Sequence, residues 1–117
     1  MHDEAQFDPY QPDQDVFDIA SEVIRGDNIE PANVTFYIGG TQNPADRWLH
    51  ATWGHVKRFD SMTIIGMRPG SSAGRLEQAL IRHFKFRHPD NCDNKALDNR
   101  GLCRQAAVQF LYVCIKD

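Results

Sequence analysis

Two groups of residues in this chain have types and spacing suited to chemistry. The first is Tyr37, Gly39, Gly40 and Arg47, gathered in Phe36-Tyr37-Ile38-Gly39-Gly40-Thr41-Gln42-Asn43-Pro44-Ala45-Asp46-Arg47-Trp48. A phenol can orient or take a proton from water, and a guanidinium is a permanent planar cation suited to an oxyanion. The second is Glu77. At about 100° per residue it falls inside the apolar arc formed by Leu76, Leu80, Ile81 and Phe84, so its carboxylate faces the core or a cleft. A charge placed there requires a cation, a metal or several donors. An ion pair with a core Arg, or an edge position that reaches water, would satisfy it equally. For Arg47 the simple structural reading is an exposed helical residue paired with an acid, and for Tyr37 it is packing.

The elements that must position these groups follow from local pattern. Val34, Thr35, Phe36, Tyr37 and Ile38 are β-branched or aromatic and predict a strand over 33–39, after which the glycine pair lets the backbone turn or come close to a ligand. Asn43 as N-cap, Pro44 at the first helical position and Asp46 in the first turn predict a helix over 44–53. Val16, Ile19, Ala20, Val23 and Ile24 recur at helical spacing over 15–25, with Gly26 as a stop. A second strand is expected over 61–67, and Pro69-Gly70-Ser71-Ser72 offers a cap for a helix ending near 86. Residues 87–104 read as a loop with one short helical turn, and 108–115 as a last strand. The expected fold is an α/β (α+β layered) domain, with about three strands flanked by helices.

Around Arg47 the sequence resembles the second half of the GIY-YIG nuclease signature: Tyr37-Ile38-Gly39, then Arg47 on the next helix with an aromatic, Trp48, after it. Gly74-Arg75-Leu76-Glu77-Gln78-Ala79-Leu80 resembles that family's glutamate helix, and Asn94-Lys95 followed by Gly101 its late asparagine segment. The first half of the signature is missing: Ile24-Arg25-Gly26-Asp27-Asn28 stands in its place and has no Tyr. A strand carrying a Tyr does occur at the other end of the chain, Phe110-Leu111-Tyr112-Val113-Cys114-Ile115, and a rearranged order in which it completes the sheet is conceivable.

The resemblance implies a metal-dependent endonuclease that hydrolyses phosphodiester bonds of DNA. In it Glu77 would hold a divalent metal, magnesium or manganese, Arg47 would stabilise the scissile phosphate, and Tyr37 with His50 would activate the water. His55, after Gly54, is a second candidate base. Gly39, Gly40, Lys57, Arg58, Arg68 and Asn94 are the expected nucleic-acid-binding residues; Asn94 would also position the site by hydrogen bonding from its side-chain amide, unless it simply makes a turn, and Trp53 would stack on a base or fill the core. A lone domain of this kind would need a partner or a second copy for specificity. Two other readings stand beside it: a non-catalytic binding module on the same fold, and a zinc-stabilised domain using His83, His88, Cys92 and Cys103, four zinc-competent side chains in one region.

Charge agrees with a nucleic-acid partner. Residues 1–30 carry nine acids and one base, a net of -8, while residues 31–117 carry seven acids and twelve bases, a net of +5. A basic body suits phosphates, and on composition alone a solvated surface with a charged tail accounts for it equally. Residues 1–14 are polar and acidic and read as a disordered leader to a single domain over 15–117. The three cysteines form no CxxC pair and read as reduced thiols. There is no signal peptide and no long apolar run, so an intracellular protein without membrane association is expected, in cytoplasm or nucleus.

Overall fold

The computed structural model describes residues 11–25, 34–50, 54–94 and 108–116. The elements run α1 (Asp13–Arg25), β1 (Thr35–Thr41), α2 (Pro44–Leu49), a short 3-10 turn (His55–Lys57), β2 (Ser61–Pro69), α3 (Gly70–Arg87) and β3 (Val108–Lys116). The strands form an antiparallel sheet of order β1-β3-β2. The last strand is therefore the central one, and the chain is a small α+β domain.

α1 packs through Val16, Ala20 and Ile24, one face of a helix, with Asp13 and Asp15 placed at its positive end. Its first turn bonds back to Pro12, the Asp15 amide donating to the Pro12 carbonyl at 3.0 Å. Asp13 and Gln14 thus belong to the domain rather than to a leader, and the rest of the expected leader, 1–10, lies outside the described residues.

Along the sheet, alternation places Phe36, Ile38, Leu111, Val113 and Ile115 on the face covered by α1 and α3, in one apolar core. A second, smaller core on the other face contains Phe59, Met62, Ile64, Tyr112 and Cys114, with Tyr37 and Trp48 packed against it. In β2 the consecutive Ile64 and Ile65 enter different cores by ordinary alternation, and the register shift between Ile64 and Gly66 leaves Ile65 as the extra residue, so that Gly66 pairs with Leu111.

Two helix boundaries differ from expectation. α2 begins as read, with the Asn43 side chain accepting the Asp46 amide at 3.1 Å, but ends at Leu49, because His50 is extended (φ -54°, ψ 134°). The chain then folds back: the Gly54 amide donates to the His50 carbonyl at 3.0 Å, and a Cβ at Gly54 would lie 2.5 Å from the His50 nitrogen. β2 runs without a loop into α3, whose N-cap is Pro69 with no side-chain cap bond.

Residues 88–92 form a single turn, the Asn91 and Cys92 amides each donating to the His88 carbonyl at 3.1 Å, and the chain then runs along β1. The Phe36 amide donates to the Asn91 carbonyl at 2.8 Å, and the Asp93 amide to the Phe36 carbonyl at 2.7 Å. Buried Asn94 continues the pairing with its side chain, accepting from the Ile38 amide at 2.9 Å and donating to the Ile38 carbonyl at 2.8 Å. The outer edge of β1 is closed in this way.

Candidate active site

The register of the central strand builds the site. Tyr112 pairs with Gly39 on one side and Ile64 on the other, and Tyr37 pairs with Cys114. Tyr37 and Tyr112 accordingly project from neighbouring strands on the same face, with ring centroids 6.4 Å apart. The Tyr112 hydroxyl lies across Gly39, where a Cβ would sit 2.3 Å from Oη and 2.4 Å from Cζ. Only glycine leaves that space.

Two basic groups meet these phenols. Arg47, half-buried on α2, donates from Nε to Tyr112 Oη at 3.5 Å and also reaches Tyr37. His55, buried in the 3-10 turn, has Nε2 2.8 Å from Tyr112 Oη, and its ring lies 5.0 Å from that of Tyr37 and 5.8 Å from that of Phe59. Glu77 enters from α3, 5 % exposed and with Oε2 sealed from solvent, near enough to act electrostatically on Tyr37.

The electrostatics follow from burial beside a fixed cation. Burial raises the Tyr37 phenol above its ordinary range, the Arg47 guanidinium draws it back, and the Glu77 carboxylate raises it further. Burial holds Tyr112 far above its ordinary range, with Tyr37 adding to the effect and Arg47 opposing it. Burial, then the charges of Arg47 and Arg58, bring the His55 imidazole down to about 4, so the ring is neutral at neutral pH. With the Tyr112 oxygen accepting from Arg47, its own proton is available to a neutral His55 Nε2.

The predicted residues thus divide. Tyr37, Gly39 and Arg47 come together, joined by His55 and by Tyr112 from the C-terminal strand, while Glu77 is buried on α3 and acts on Tyr37 electrostatically. His50 caps the end of α2 with its backbone amide on Asp46, and it is His55 whose ring touches the tyrosines. Lys57 and Arg58 are exposed near the site; Arg58 pairs with Asp93 and lies 5.4 Å from the Phe59 ring centroid. Gly40 is half-buried at the end of β1, while Gly39 is covered by Tyr112.

Two expected nucleic-acid contacts are corrected. Arg68 is 6 % exposed, with Nη1 on the Met67 carbonyl at 2.8 Å and Nη2 shared between Asp13 at 3.0 Å and the Gln11 carbonyl, so it fastens the start of α1 and is not open to phosphate. Asn94 is spent on Ile38 and holds β1 from its edge. Trp53 lies outside the described residues.

Nor do the zinc-competent side chains converge. Among the described residues no group of three His, Cys, Asp or Glu forms a metal cluster. His83 packs edge-on against Phe17 and Phe84, His88 against Phe36, and Cys92 Sγ lies on Asn94. Cys103 lies outside the described residues. Glu77 is a single buried carboxylate, and a hard cation such as magnesium is commonly held by one or two protein carboxylates, with water and phosphate completing its shell. No helix among the described residues is long and apolar enough to cross a membrane. No family model, no curated protein and no solved structure matches the chain.

Proposed function

We propose that this chain is a GIY-YIG-like endonuclease domain, hydrolysing phosphodiester bonds of DNA with one divalent metal. The observation that carries the reading is the meeting of Tyr37, Arg47, His55 and Tyr112 on one face of the sheet, with Tyr112 lying over Gly39 and the buried Glu77 of α3 close enough to act electrostatically on Tyr37. In this reading the C-terminal strand supplies the tyrosine that the family's first strand would carry. Its central place between β1 and β2 makes the substitution sterically natural, since a strand's position in a sheet does not depend on its position in the chain.

The roles follow from the contacts. Arg47, fixed by two phenols, presents charge to the phosphate, where a preorganised guanidinium stabilises the developing negative charge. Neutral His55 accepts the Tyr112 proton as Tyr112 in turn takes one from the attacking water, a relay that needs no free hydroxide. Tyr37 orients that water from the neighbouring strand. Glu77 would hold magnesium or manganese, which stabilises charge on phosphate and leaving oxygen. A second copy or another partner would supply sequence preference.

The test is nicking of supercoiled plasmid and of branched DNA with magnesium or manganese. Wild type should cut; Glu77→Gln, Arg47→Ala and Tyr112→Phe should each lose about a hundredfold or more while remaining folded. Cutting that survives Tyr112→Phe removes the C-terminal strand from the mechanism. No cutting by folded wild type overturns the enzyme and leaves the fold as a binding module.

A further inference from the structure

α3 is strongly two-sided in charge. Gly70–Arg87 contains Arg75, Arg82, Lys85 and Arg87 but a single acid, Glu77, and that acid is buried. Its outward face therefore carries no negative charge. Arg75, Ala79, Arg82 and Phe86 lie on it at helical spacing, and all four are exposed. Lys85 is used at home, its Nζ donating to the Asn94 carbonyl, whereas no ion pair among the described residues engages Arg75 or Arg82.

Phe86 is the unusual member. At 86 % exposure it is the most exposed large apolar side chain described, on a helix otherwise covered by long polar residues. Eleven residues separate it from Arg75, a rise of about 16 Å. At the Arg75 end a cavity of about 570 Å³ opens, with Arg75 and Ser72 on one wall and Arg68, neutralised by its pairing with Asp13, on another. The face thus offers, in line, a cavity beside a cation, a second cation and a bare aromatic ring.

We propose that the outward face of α3 binds single-stranded DNA, with Arg75 and Arg82 on its phosphates and an unpaired base stacked on Phe86. Cationic side chains supply affinity for any phosphate backbone, while a ring able to stack selects a strand whose bases are free. The choice of DNA rests on the nuclease reading above. Because this surface lies across α3 from Glu77, it is separate from the cleavage site and would hold a strand flanking it. α1 bounds the surface, Phe17 packing against His83, and its exposed Asp15, Asp18 and Glu22 repel phosphate there.

The experiment measures fluorescence anisotropy of labelled oligo-dT, an abasic strand of equal length and a matching duplex. It is run in EDTA, so that binding is read whether or not the chain cleaves. Phe86→Ala should weaken oligo-dT about tenfold and leave the abasic strand and duplex unchanged. Arg75→Gln with Arg82→Gln should weaken all three and lower the single-strand salt slope by about 1.4, or about 0.7 for each phosphate no longer neutralised. All substitutions are on the surface, and unchanged melting by circular dichroism certifies the fold. Unchanged oligo-dT affinity in either variant overturns the proposal, as does a Phe86→Ala loss of equal size on the abasic strand, which would mark a general polyanion surface.

Discussion

Gly39→Ala tests the geometry of the site directly. The new Cβ would stand 2.3 Å from Tyr112 Oη and 2.4 Å from Cζ, and these are distances that atoms do not adopt. An ordinary contact is about 3.5 Å, so one partner must move by roughly 1 Å. Tyr112 is 1 % exposed in the central strand, and β1 is held on its outer edge by Asn91, Asp93 and Asn94, so neither yields freely. Overpacking of this kind costs about 1–3 kcal/mol. With a urea slope of about 1.5 kcal/mol per M, the midpoint should fall by about 1–2 M. The same movement takes Tyr112 Oη away from His55 Nε2, so cleavage should be lost in Gly39→Ala even where the protein remains folded. Adding Tyr112→Leu removes the obstructing ring: the alanine penalty should then largely disappear, and a double-mutant cycle should give a coupling of at least about 1 kcal/mol. An alanine variant within about 0.5 kcal/mol of wild type, or strictly additive effects, would refute the placement of Tyr112 over Gly39.

His55 has a folded pKa of about 4 against about 6.5 unfolded, so between those values the unfolded chain binds the extra proton. Stability should be unaffected above about pH 6.5 and fall as the pH drops toward 4, by up to about 3 kcal/mol; urea titrations of His55→Gln should lack most of that loss. Asn94→Ala leaves both polar groups of Ile38 without partners at a buried edge, and should cost about 2–4 kcal/mol with faster hydrogen exchange at Ile38, whereas unchanged exchange would mean that the edge is held elsewhere. Cys114 is buried in the second core, where burial raises its thiol to about 12, so a thiol reagent at neutral pH should modify it only on unfolding.

Much of the local structure was legible because it depends on neighbours in sequence. Asn43-Pro44-Ala45-Asp46 encodes a helix start within four residues, and the cap forms as read. Val16, Ala20 and Ile24 mark a buried helical face, and Glu77 within an apolar arc marks a buried carboxylate. What the sequence concealed depends on pairing across the chain. Nothing local to Tyr112 reveals that it will lie opposite Gly39, because register is set by both cores together. Arg68 reads as a surface cation until the start of α1 arrives to bury it. His50 and His55 are indistinguishable in type, and the fold-back after Leu49, closed at Gly54, is what turns His55 toward the tyrosines.

The position of β3 has a consequence for how the site comes into being. Tyr37 and Arg47 are close in sequence, yet Arg47 donates to Tyr112 and the Tyr37 ring lies beside that of Tyr112, at the far end of the chain. Within the sheet, β1 and β2 make no pairing with one another; β3 lies between them and pairs with both. Until that strand inserts, neither core can close, the phenols have no common face, and Arg47 lacks its Tyr112 anchor. The ring of contacts among Arg47, Tyr112 and His55 is thus completed by the same event that completes the sheet, and partial structures carry no organised cationic site. A chemical centre tied to the last and most central pairing exists only in the folded state, which is why substitutions at Gly39, beneath the Tyr112 hydroxyl, or at Asn94, on the edge of β1, should act on stability and on the site together.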